Sequence, residues 1–223
     1  MADRALYKNE FYNQYARDVH SQNGEDGVLA EILRRLGIEG GWVCEFGAWD
    51  GVHLSNTFNV VKTGKFQAVY IEGDNSKYGD LLRTVSQHPN IVPVKAYVTH
   101  EGAGSCLDTI LSATPLPTDF DILSIDIDSY DYQVWESLKT YQPKIVVIEI
   151  NSAVNTNVEG HIHKPGVLAG TSFLPMLNLG KRKGYTFVLH TGNMIFVRND
   201  LFDKLDIHYD DPRENYRTYW NTY

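Results

Sequence analysis

Cysteine is scarce in this sequence of 223 residues, which contains only Cys44 and Cys106. The two are too far apart to form a CxxC pair, so a zinc site built from paired cysteines is excluded. Cys44 lies in a strongly apolar run, where a thiol usually behaves as a small buried hydrophobic side chain. We therefore expect no disulfide.

Long hydrophobic runs and an excess of positive charge are also missing. No stretch approaches the length of a membrane span, and the N-terminal residues lack the apolar core of a signal peptide, so we expect a cytoplasmic protein. The formal net charge is −8. Nucleic acids and anionic membranes are bound by neutralising phosphates, so this charge disfavours both. Small molecules or glycans are the expected partners.

Hydrophobic periodicity predicts a doubly wound α/β domain. Apolar residues at helical spacing predict a helix over Gly24–Leu36, capped by Ser21 or Asn23 and stopped by Gly37. Runs rich in Val and Ile predict five parallel strands buried on both faces. These are Trp42–Phe46, Phe66–Ile71, Ile91–Val98, Asp121–Ile127 and Lys144–Ile150. Crossover helices are predicted at Leu54–Lys62, Lys77–Val85, Gly104–Leu111 and Tyr132–Lys139.

The C-terminal part of the chain has a different pattern. A helical stretch, Thr171–Lys183, precedes two β-like runs, Tyr185–His190 and Met194–Arg198, whose short connection predicts an antiparallel hairpin. This order predicts a Rossmann-like, seven-stranded class I methyltransferase sheet with a parallel core, an antiparallel last strand and helices on both faces. We expect one domain, with a helical segment (1–40), an α/β core (41–200) and a tail (201–223).

The first strand ends in Glu45-Phe-Gly47-Ala48-Trp-Asp50-Gly51. Ligands of open parallel sheets bind beyond the carboxyl ends of the strands, and Gly47 would let a ligand approach the main chain. The spacing differs from GxGxxG, which holds a pyrophosphate, whereas carboxylates suit the cationic groups of S-adenosylmethionine. We predict that Glu45, Gly47, Ala48, Asp50 and Gly51 bind the cofactor. Taken alone, the motif is equally consistent with a tight packing turn.

The second strand ends in Glu72-Gly73-Asp74. An acid at this position accepts both ribose hydroxyls in dinucleotide-binding sheets, so Glu72 is the predicted ribose ligand. Gly73 and Asp74 complete the predicted cofactor site, although they also form a favourable turn sequence. The alternative is that Glu72 is a solvated loop acid. Because Glu72 occurs together with Gly47, a role in cofactor binding is favoured over that alternative.

Five sequence blocks extend the pattern across most of the chain. They are Ser21–Asp26, Glu45–Gly51, Val69–Glu72, Leu123–Asp128 with Asp131, and Gly184–Tyr185 with Asn193–Val197. Together they resemble the FkbM-type methyltransferases. The resemblance implies methyl transfer from S-adenosylmethionine, commonly to a hydroxyl of a sugar or polyketide-like product, with Glu45, Gly47 and Glu72 holding the cofactor. The chain has Asp126-Ile-Asp128-Ser129 where that family often has Asp-x-Glu-Gly.

Polar residues also end the fourth and fifth strands. Asp126 and Asp128 follow one strand, and Glu149 and Asn151 follow the next. Adjacent strands lie about 5 Å apart, so these groups should converge, and crowded oxygen ligands suit Mg²⁺. By analogy with small-molecule O-methyltransferases of this fold, we predict Mg²⁺ at Asp126, Glu149 and Asn151, and catalytic roles for Asp126 and Asp128. Asp131 fits a helix N-terminal acid equally well.

The longest predicted loop, Ser152–Gly170, carries His161 and His163. In an extended segment both would face the same way, so we predict catalytic roles for them, as a base or as a metal pair, with exposed loop histidines as the alternative. The tyrosine-rich tail, Tyr209–Tyr223, should pack against the body of the protein or form a docking surface for another subunit.

Together these features predict an S-adenosylmethionine-dependent methyltransferase that modifies a hydroxyl of a small molecule or glycan, such as a polysaccharide precursor. A methyltransferase-like scaffold without activity is the first alternative. A nicotinamide dehydrogenase is disfavoured by the missing third glycine and by the closing hairpin.

Overall fold

The computed structural model describes residues 9–102, 104–166 and 169–216, and one sheet lies at its centre. The strands are β1 (Gly41–Phe46), β2 (Phe66–Glu72), β3 (Ile91–Lys95), β4 (Ile122–Ile125), β5 (Ile145–Glu149), β6 (Tyr185–His190) and β7 (Asn193–Arg198). Their spatial order is β3-β2-β1-β4-β5-β7-β6. Strands β1 to β5 run parallel, and β7 runs antiparallel to both of its neighbours. This is the seven-stranded class I methyltransferase fold, and the predicted fold is confirmed.

Helices cover both faces of the sheet. They are α1 (Glu10–Tyr15), α2 (Glu25–Leu36), α3 (Phe58–Val61), α4 (Asn75–Val85), α5 (Leu107–Ser112), α6 (Asp131–Ser137), α7 (Phe173–Arg182) and α8 (Asn199–Phe202), followed by short 3-10 helices at Asp203–Leu205 and Pro212–Asn215. Helices α5, α6 and α7 pack on one face, and α1 to α4 pack on the other. Among the described residues, no helix is both long and apolar enough to cross a membrane.

Strand β5 shows how a central strand of the sheet is buried on both faces. Val146, Val147 and Ile148 are all completely buried, although successive side chains of a strand point to opposite faces. Val146 and Ile148 join the core on the face of α5 to α7, and Val147 joins the core on the face of α2. A continuous apolar run is therefore required here, because burying each such side chain stabilises the fold by about 1.5–3 kcal/mol.

Helix α2 matches its prediction except at the cap. It ends at Leu36, and the next residue, Gly37, has a φ of 71° that gives the left-handed turn that stops a helix. Gly24 occupies the cap position with a φ of 93° and offers no side chain. Ser21 still contributes, because its Oγ accepts a hydrogen bond from the backbone N–H of Asp26 at 3.1 Å. The loop before the helix is therefore tied to its first turn.

Several predicted elements are shorter than their hydrophobic pattern suggested, and the shortened ends of β3 and α3 shape the site. Strand β3 ends at Lys95, and the next three residues, Ala96 to Val98, leave the sheet to line the cleft described below. Helix α3 begins at Phe58. The predicted start at Leu54 was wrong because residues 55–57 bind the carboxylate of Glu45.

The described part of the tail packs against the body, as expected. Tyr209 donates a hydrogen bond to the backbone oxygen of Phe187 on β6. Tyr216 is buried and stacks on the completely buried His190, with ring centroids 4.4 Å apart. These contacts cover the edge strand of the sheet, which would otherwise be open to pairing with another chain. Residues 217–223 lie outside the described residues.

Candidate functional site

A cleft of about 630 Å³ lies at the carboxyl ends of the parallel strands. Its walls come from the loops after β1, β2, β3 and β4, the end of β5, the β6–β7 turn and the loop before α2. The lining residues are Gln22, Asn23, Glu45, Phe46, Gly47, Ala48, Trp49, His53, Leu54, Ile71, Glu72, Gly73, Lys77, Ala96, Tyr97, Val98, Asp126, Ile127, Asp128, Ser129, Glu149, Gly192 and Asn193. The volume is in the range of small-molecule and cofactor sites.

Gly47 is needed where the loop after β1 meets the end of β4. Its φ is +74°, and a Cβ there would lie 2.1 Å from the backbone oxygen of Asp126. Only glycine combines this conformation with such a close approach. Next to it, Ala48 donates its N–H to the backbone oxygen of Ile71 at 3.2 Å, which joins the loop to β2. The loop is thereby held across the floor of the cleft.

Glu45 lines the cleft, but its carboxylate also supports the loop that precedes α3. One oxygen accepts hydrogen bonds from Ser55 Oγ at 2.8 Å and the Thr57 N–H at 3.1 Å, and the other from the Asn56 N–H at 3.3 Å. Burial raises the pKa of Glu45, and the bonds from Thr57 and Ser55 oppose that shift. The sequence did not predict this second task for the residue.

Glu72 lies at the end of β2 with both carboxylate oxygens oriented by the backbone. The Trp49 N–H donates to one oxygen at 2.9 Å and the Asp74 N–H to the other at 2.7 Å. The following residue, Gly73, also lines the cleft, and a Cβ on it would lie 2.3 Å from the ring of Tyr97. A carboxylate held this way keeps lone pairs available for a further donor in the cleft.

Three predicted cofactor residues shape the loops without lining the cleft. Asp50 accepts the N–H groups of Val52 and His53 at 2.9 and 2.7 Å. Gly51 has a φ of +78°, and a Cβ there would lie 2.9 Å from Leu81 in the core. Asp74 caps α4 by accepting two N–H groups, which lower its pKa. None of the three is in the described lining of the cleft, and their contact with a cofactor stays a prediction.

Three carboxylates meet at the ends of β4 and β5. Asp126, Asp128 and Glu149 offer oxygens that all lie within 4.8 Å of one another, a spacing that could hold a metal ion. Burial, followed by repulsion from neighbouring carboxylates, raises the pKa of Asp126 and of Glu149. Asp128 has a φ of +58°, which is uncommon outside glycine and turns the backbone at the end of β4.

Asp131 and Asn151 have local structural tasks. Asp131 accepts the N–H groups of Ile127 at 2.9 Å and Ser129 at 3.0 Å, and burial raises its pKa to about 6. The amide of Asn151 accepts the Ala153 N–H at 3.0 Å and donates to the backbone oxygen of Ala169 at 2.6 Å. Asp128 is the third carboxylate beside Asp126 and Glu149, and Asn151 lines the adjoining cavity that Asp128 and Glu149 share, so its role as a metal ligand stays a prediction.

The two predicted catalytic histidines lie away from the cleft. His163 packs edge-on against Tyr130, with ring centroids 4.6 Å apart, and its backbone oxygen accepts from Gln133 at 2.6 Å. His161 contributes its backbone oxygen to Ser172 at 2.9 Å. Neither histidine lines the cleft, nor an adjoining one of about 400 Å³ that shares Asp128 and Glu149 with it. The structure thus places neither histidine in the described lining, and their catalytic roles stay a prediction.

Several lining residues were missed by sequence reasoning. Trp49 is 40% exposed with a φ of 47°, and the Lys77 Nζ lies 4.8 Å from its ring centroid. Tyr97 is 69% exposed beside Gly73. Gln22 and Asn23 enter from the loop before α2. Trp49 could have been found, because it lies within the predicted cofactor loop; the others reach the cleft through tertiary packing.

The chain matches no protein-family model and no curated protein sequence. Among solved structures it is similar to an S-adenosylmethionine-dependent methyltransferase from Aquifex aeolicus, with 13% identity, a TM-score of 0.45 and coverage of 75% of this chain and 85% of that chain. It is also similar to the N-terminal domain of EvdMO1, solved with S-adenosylhomocysteine and D-fucose, with 8% identity, a TM-score of 0.48 and coverage of 88% and 95%.

A third similar structure is TYW2 from M. jannaschii in complex with S-adenosylmethionine, with 13% identity, a TM-score of 0.45 and coverage of 76% of this chain and 75% of that chain. Identities this low concern the fold alone. The fold itself follows from the strand order β3-β2-β1-β4-β5-β7-β6 with β7 antiparallel to its neighbours, and an acidic cleft lies at the carboxyl ends of the parallel strands.

Proposed function

We propose that this protein is an S-adenosylmethionine-dependent methyltransferase that acts on a hydroxyl of a small molecule or glycan. The observation that carries the proposal is Glu72, whose two oxygens are fixed by the backbone N–H groups of Trp49 and Asp74 at the edge of the cleft. An acid in this position is suited to accept the two ribose hydroxyls of a nucleoside. The resemblance to FkbM-type methyltransferases favours a hydroxyl acceptor.

The charge of the cleft favours this cofactor over a dinucleotide. Five carboxylates line it, those of Glu45, Glu72, Asp126, Asp128 and Glu149. A pyrophosphate would be repelled by these groups, whereas the sulfonium and ammonium of S-adenosylmethionine would be attracted. A nicotinamide cofactor is accordingly the weaker candidate.

Different residues of the cleft would bind the cofactor and take part in the chemistry. Glu72 would hold the ribose, and the loop at Gly47 would let the cofactor lie close to the main chain. When bound, the cofactor supplies an electrophilic methyl group. The acceptor hydroxyl must approach that group in line and lose its proton. Asp126 and Glu149 are the candidates to receive the proton, because a carboxyl with a raised pKa is a stronger base once it is ionised.

Titration calorimetry with S-adenosylmethionine, S-adenosylhomocysteine and NAD tests the cofactor. We expect the two adenosyl ligands to bind and NAD to bind at least 10-fold more weakly, given about 1.4 kcal/mol per tenfold change. Preferential binding of NAD would support the dehydrogenase. If no adenosyl ligand bound, the scaffold without activity would be the better interpretation.

Mass spectrometry tests the reaction. The protein is incubated with methyl-labelled S-adenosylmethionine and metabolite or glycan extracts, and labelled products are sought. A labelled methyl ether is expected, with an Asp126→Asn variant as the control that lacks the proposed proton acceptor. A product labelled at nitrogen would replace the hydroxyl acceptor with an amine. Cofactor binding without any labelled product would instead favour a binding module.

A further inference from the structure

The loop before α2, residues 18–24, is held rigidly over the cleft. One carboxylate oxygen of Asp26 accepts three consecutive backbone N–H groups, those of Val19 at 2.8 Å, His20 at 2.6 Å and Ser21 at 2.9 Å. Tyr12 adds a hydrogen bond from its hydroxyl to the backbone oxygen of Asn23 at 2.9 Å. A loop with this many internal bonds presents its side chains at fixed positions.

Contacts at both ends place the loop across the carboxyl ends of the strands. Near one end, the ring of His20 packs edge-on against Phe58 of α3, with centroids 4.8 Å apart. After the other end, Glu25 accepts hydrogen bonds from Thr191 Oγ1 and from Asn193 Nδ2 at the β6–β7 turn. Gln22 and Asn23 lie between these anchors and line the cleft.

Asn23 fits tightly against the β6–β7 turn. A Cβ on Gly192 would lie 2.4 Å from Asn23 Nδ2, so a side chain at position 192 would displace the Asn23 amide. Asn23 Oδ1 is buried and has no hydrogen-bond partner among the described residues. A buried, unpaired oxygen is costly unless a ligand donates to it. Gln22 is exposed, and it lines the cleft next to Asn23.

One part of the proposed cofactor, the α-carboxylate, needs hydrogen-bond donors in a cleft dominated by acids. The carboxylates of Glu45, Asp126, Asp128 and Glu149 line the cleft at the ends of β1, β4 and β5, where they attract an ammonium and repel an α-carboxylate. His53 also lines the cleft, with its ring packed edge-on against Trp49. Lys77 is the one lysine or arginine in the described lining, and it sits over the ring of Trp49 beyond the end of β2. Neutral amides can donate to a carboxylate and accept from an ammonium.

We propose that Gln22 and Asn23 bind the α-amino-acid end of S-adenosylmethionine, with the Gln22 amide donating to the carboxylate and Asn23 Oδ1 accepting from the ammonium. This inference rests on the proposed function and adds to it a binding surface contributed by the N-terminal loop. Glu72 would hold the nucleoside end, on the opposite side of β1.

Two ligands separate the ends of the cofactor. S-adenosylhomocysteine has both the nucleoside and the amino-acid group, whereas 5′-methylthioadenosine lacks the amino-acid group. Calorimetry with both ligands is carried out on wild type, Gln22→Ala and Asn23→Ala. Each substitution should weaken S-adenosylhomocysteine about 10-fold, as expected for losing a hydrogen bond to a charged group, and change 5′-methylthioadenosine less than twofold.

Gln14→Ala is the matched control, because Gln14 is exposed on α1 and lies outside the described lining of the cleft. It should change neither affinity. Circular dichroism and thermal unfolding verify that each variant is folded. If Asn23→Ala is unstable, the Gln22→Ala variant still tests the inference, because Gln22 is exposed. Unchanged S-adenosylhomocysteine affinity in Gln22→Ala, or equal weakening of both ligands, overturns the inference. If wild type binds neither ligand, the proposed function itself fails.

Discussion

The α-carbon of Gly47 lies so close to Asp126 that a Cβ would be 2.1 Å from the Asp126 backbone oxygen. This contact joins the loop after β1 to the end of β4, which are neighbouring strands in the sheet. The floor of the proposed cofactor site and the carboxyl proposed to receive the acceptor's proton are therefore parts of one rigid arrangement. A change at Gly47 should disturb both.

Gly47→Ala should destabilise the protein by about 2–3 kcal/mol, because the added methyl group clashes and the left-handed backbone is strained for alanine. It should also abolish measurable S-adenosylhomocysteine binding. Thermal unfolding and calorimetry check the two effects. Gly79→Ala is the control, because Gly79 lies in α4 with open space around its α-carbon. This substitution should raise the free energy of unfolding by about 0.5–1 kcal/mol. Equal effects at both positions would contradict the packing argument.

Glu72→Gln should weaken both S-adenosylhomocysteine and 5′-methylthioadenosine by roughly 10- to 100-fold, because both carry the ribose whose hydroxyls would lose a charged acceptor. Glutamine keeps one oxygen for the backbone donors, so most of the fold should survive. Calorimetry with both ligands measures this. Glu39→Gln, at an exposed position, should leave both affinities unchanged. If Glu72→Gln bound both ligands as tightly as wild type, the assignment of Glu72 as the ribose ligand would be wrong.

Asp126→Asn should lower turnover by at least 100-fold while S-adenosylhomocysteine affinity changes less than about threefold, because an amide cannot accept the acceptor's proton. Labelled-methyl incorporation into the product found by mass spectrometry gives turnover, and calorimetry gives affinity. Asp210→Asn, an exposed substitution, serves as the control. Wild-type turnover in Asp126→Asn would exclude Asp126 from the chemistry.

Asp126→Asn should also change how stability depends on pH. Burial and nearby carboxylates raise the pKa of Asp126 in the folded protein. Between its unfolded and folded pKa values the folded state binds more protons than the unfolded state, so the free energy of unfolding falls as pH rises. With a chelator present, the variant should exceed wild type by about 1–2 kcal/mol at about pH 8, and this gain should largely disappear near pH 4. Denaturant unfolding at each pH measures this difference. If the free energies of unfolding of wild type and variant changed with pH in the same way, the raised pKa of Asp126 would be contradicted.

A divalent cation is predicted to bind Asp126, Asp128 and Glu149, whose oxygens lie within 4.8 Å of one another. A cation held by these three carboxylates would bind the folded state and not the unfolded chain, so adding millimolar MgCl₂ to chelator-treated protein should raise the unfolding temperature. Asp128→Asn and Glu149→Gln should each reduce that rise, and Asp210→Asn should not. If MgCl₂ does not raise the unfolding temperature of wild type and a chelator does not reduce its activity, the prediction of a metal site is wrong.

The secondary structure was largely predictable because it follows local periodicity. Val146 to Ile148 form an uninterrupted apolar run, and such runs occur where a strand is covered on both faces. The end of α2 before Gly37 was predictable, because a glycine in a left-handed turn is a common helix stop. The start of α3 was not predictable, because Thr57 and its neighbours bind Glu45 from the adjoining strand instead of extending the helix.

The site was predictable only in part. The acids at the ends of β4 and β5 converge as the strand order required, but the amide of Asn151 binds Ala153 and Ala169 within its own loop. His161 and His163 pack beside α6 and α7, although their spacing suggested a shared task. Alternation along a loop does not reveal which surface the loop will contact.

The sequence by itself determined the order of strands and helices, the glycine after β1 and the acid that ends β2, because these depend on periodicity and on conformations that few residues adopt. Only the tertiary structure decided which polar groups face the cleft. Asp50 and Asp74 are bound by N–H groups of their own turns. Glu25 instead reaches Thr191, 166 residues away. Hydrogen-bond partners of buried carboxylates come from wherever the chain returns, and that is a property of packing rather than of local sequence.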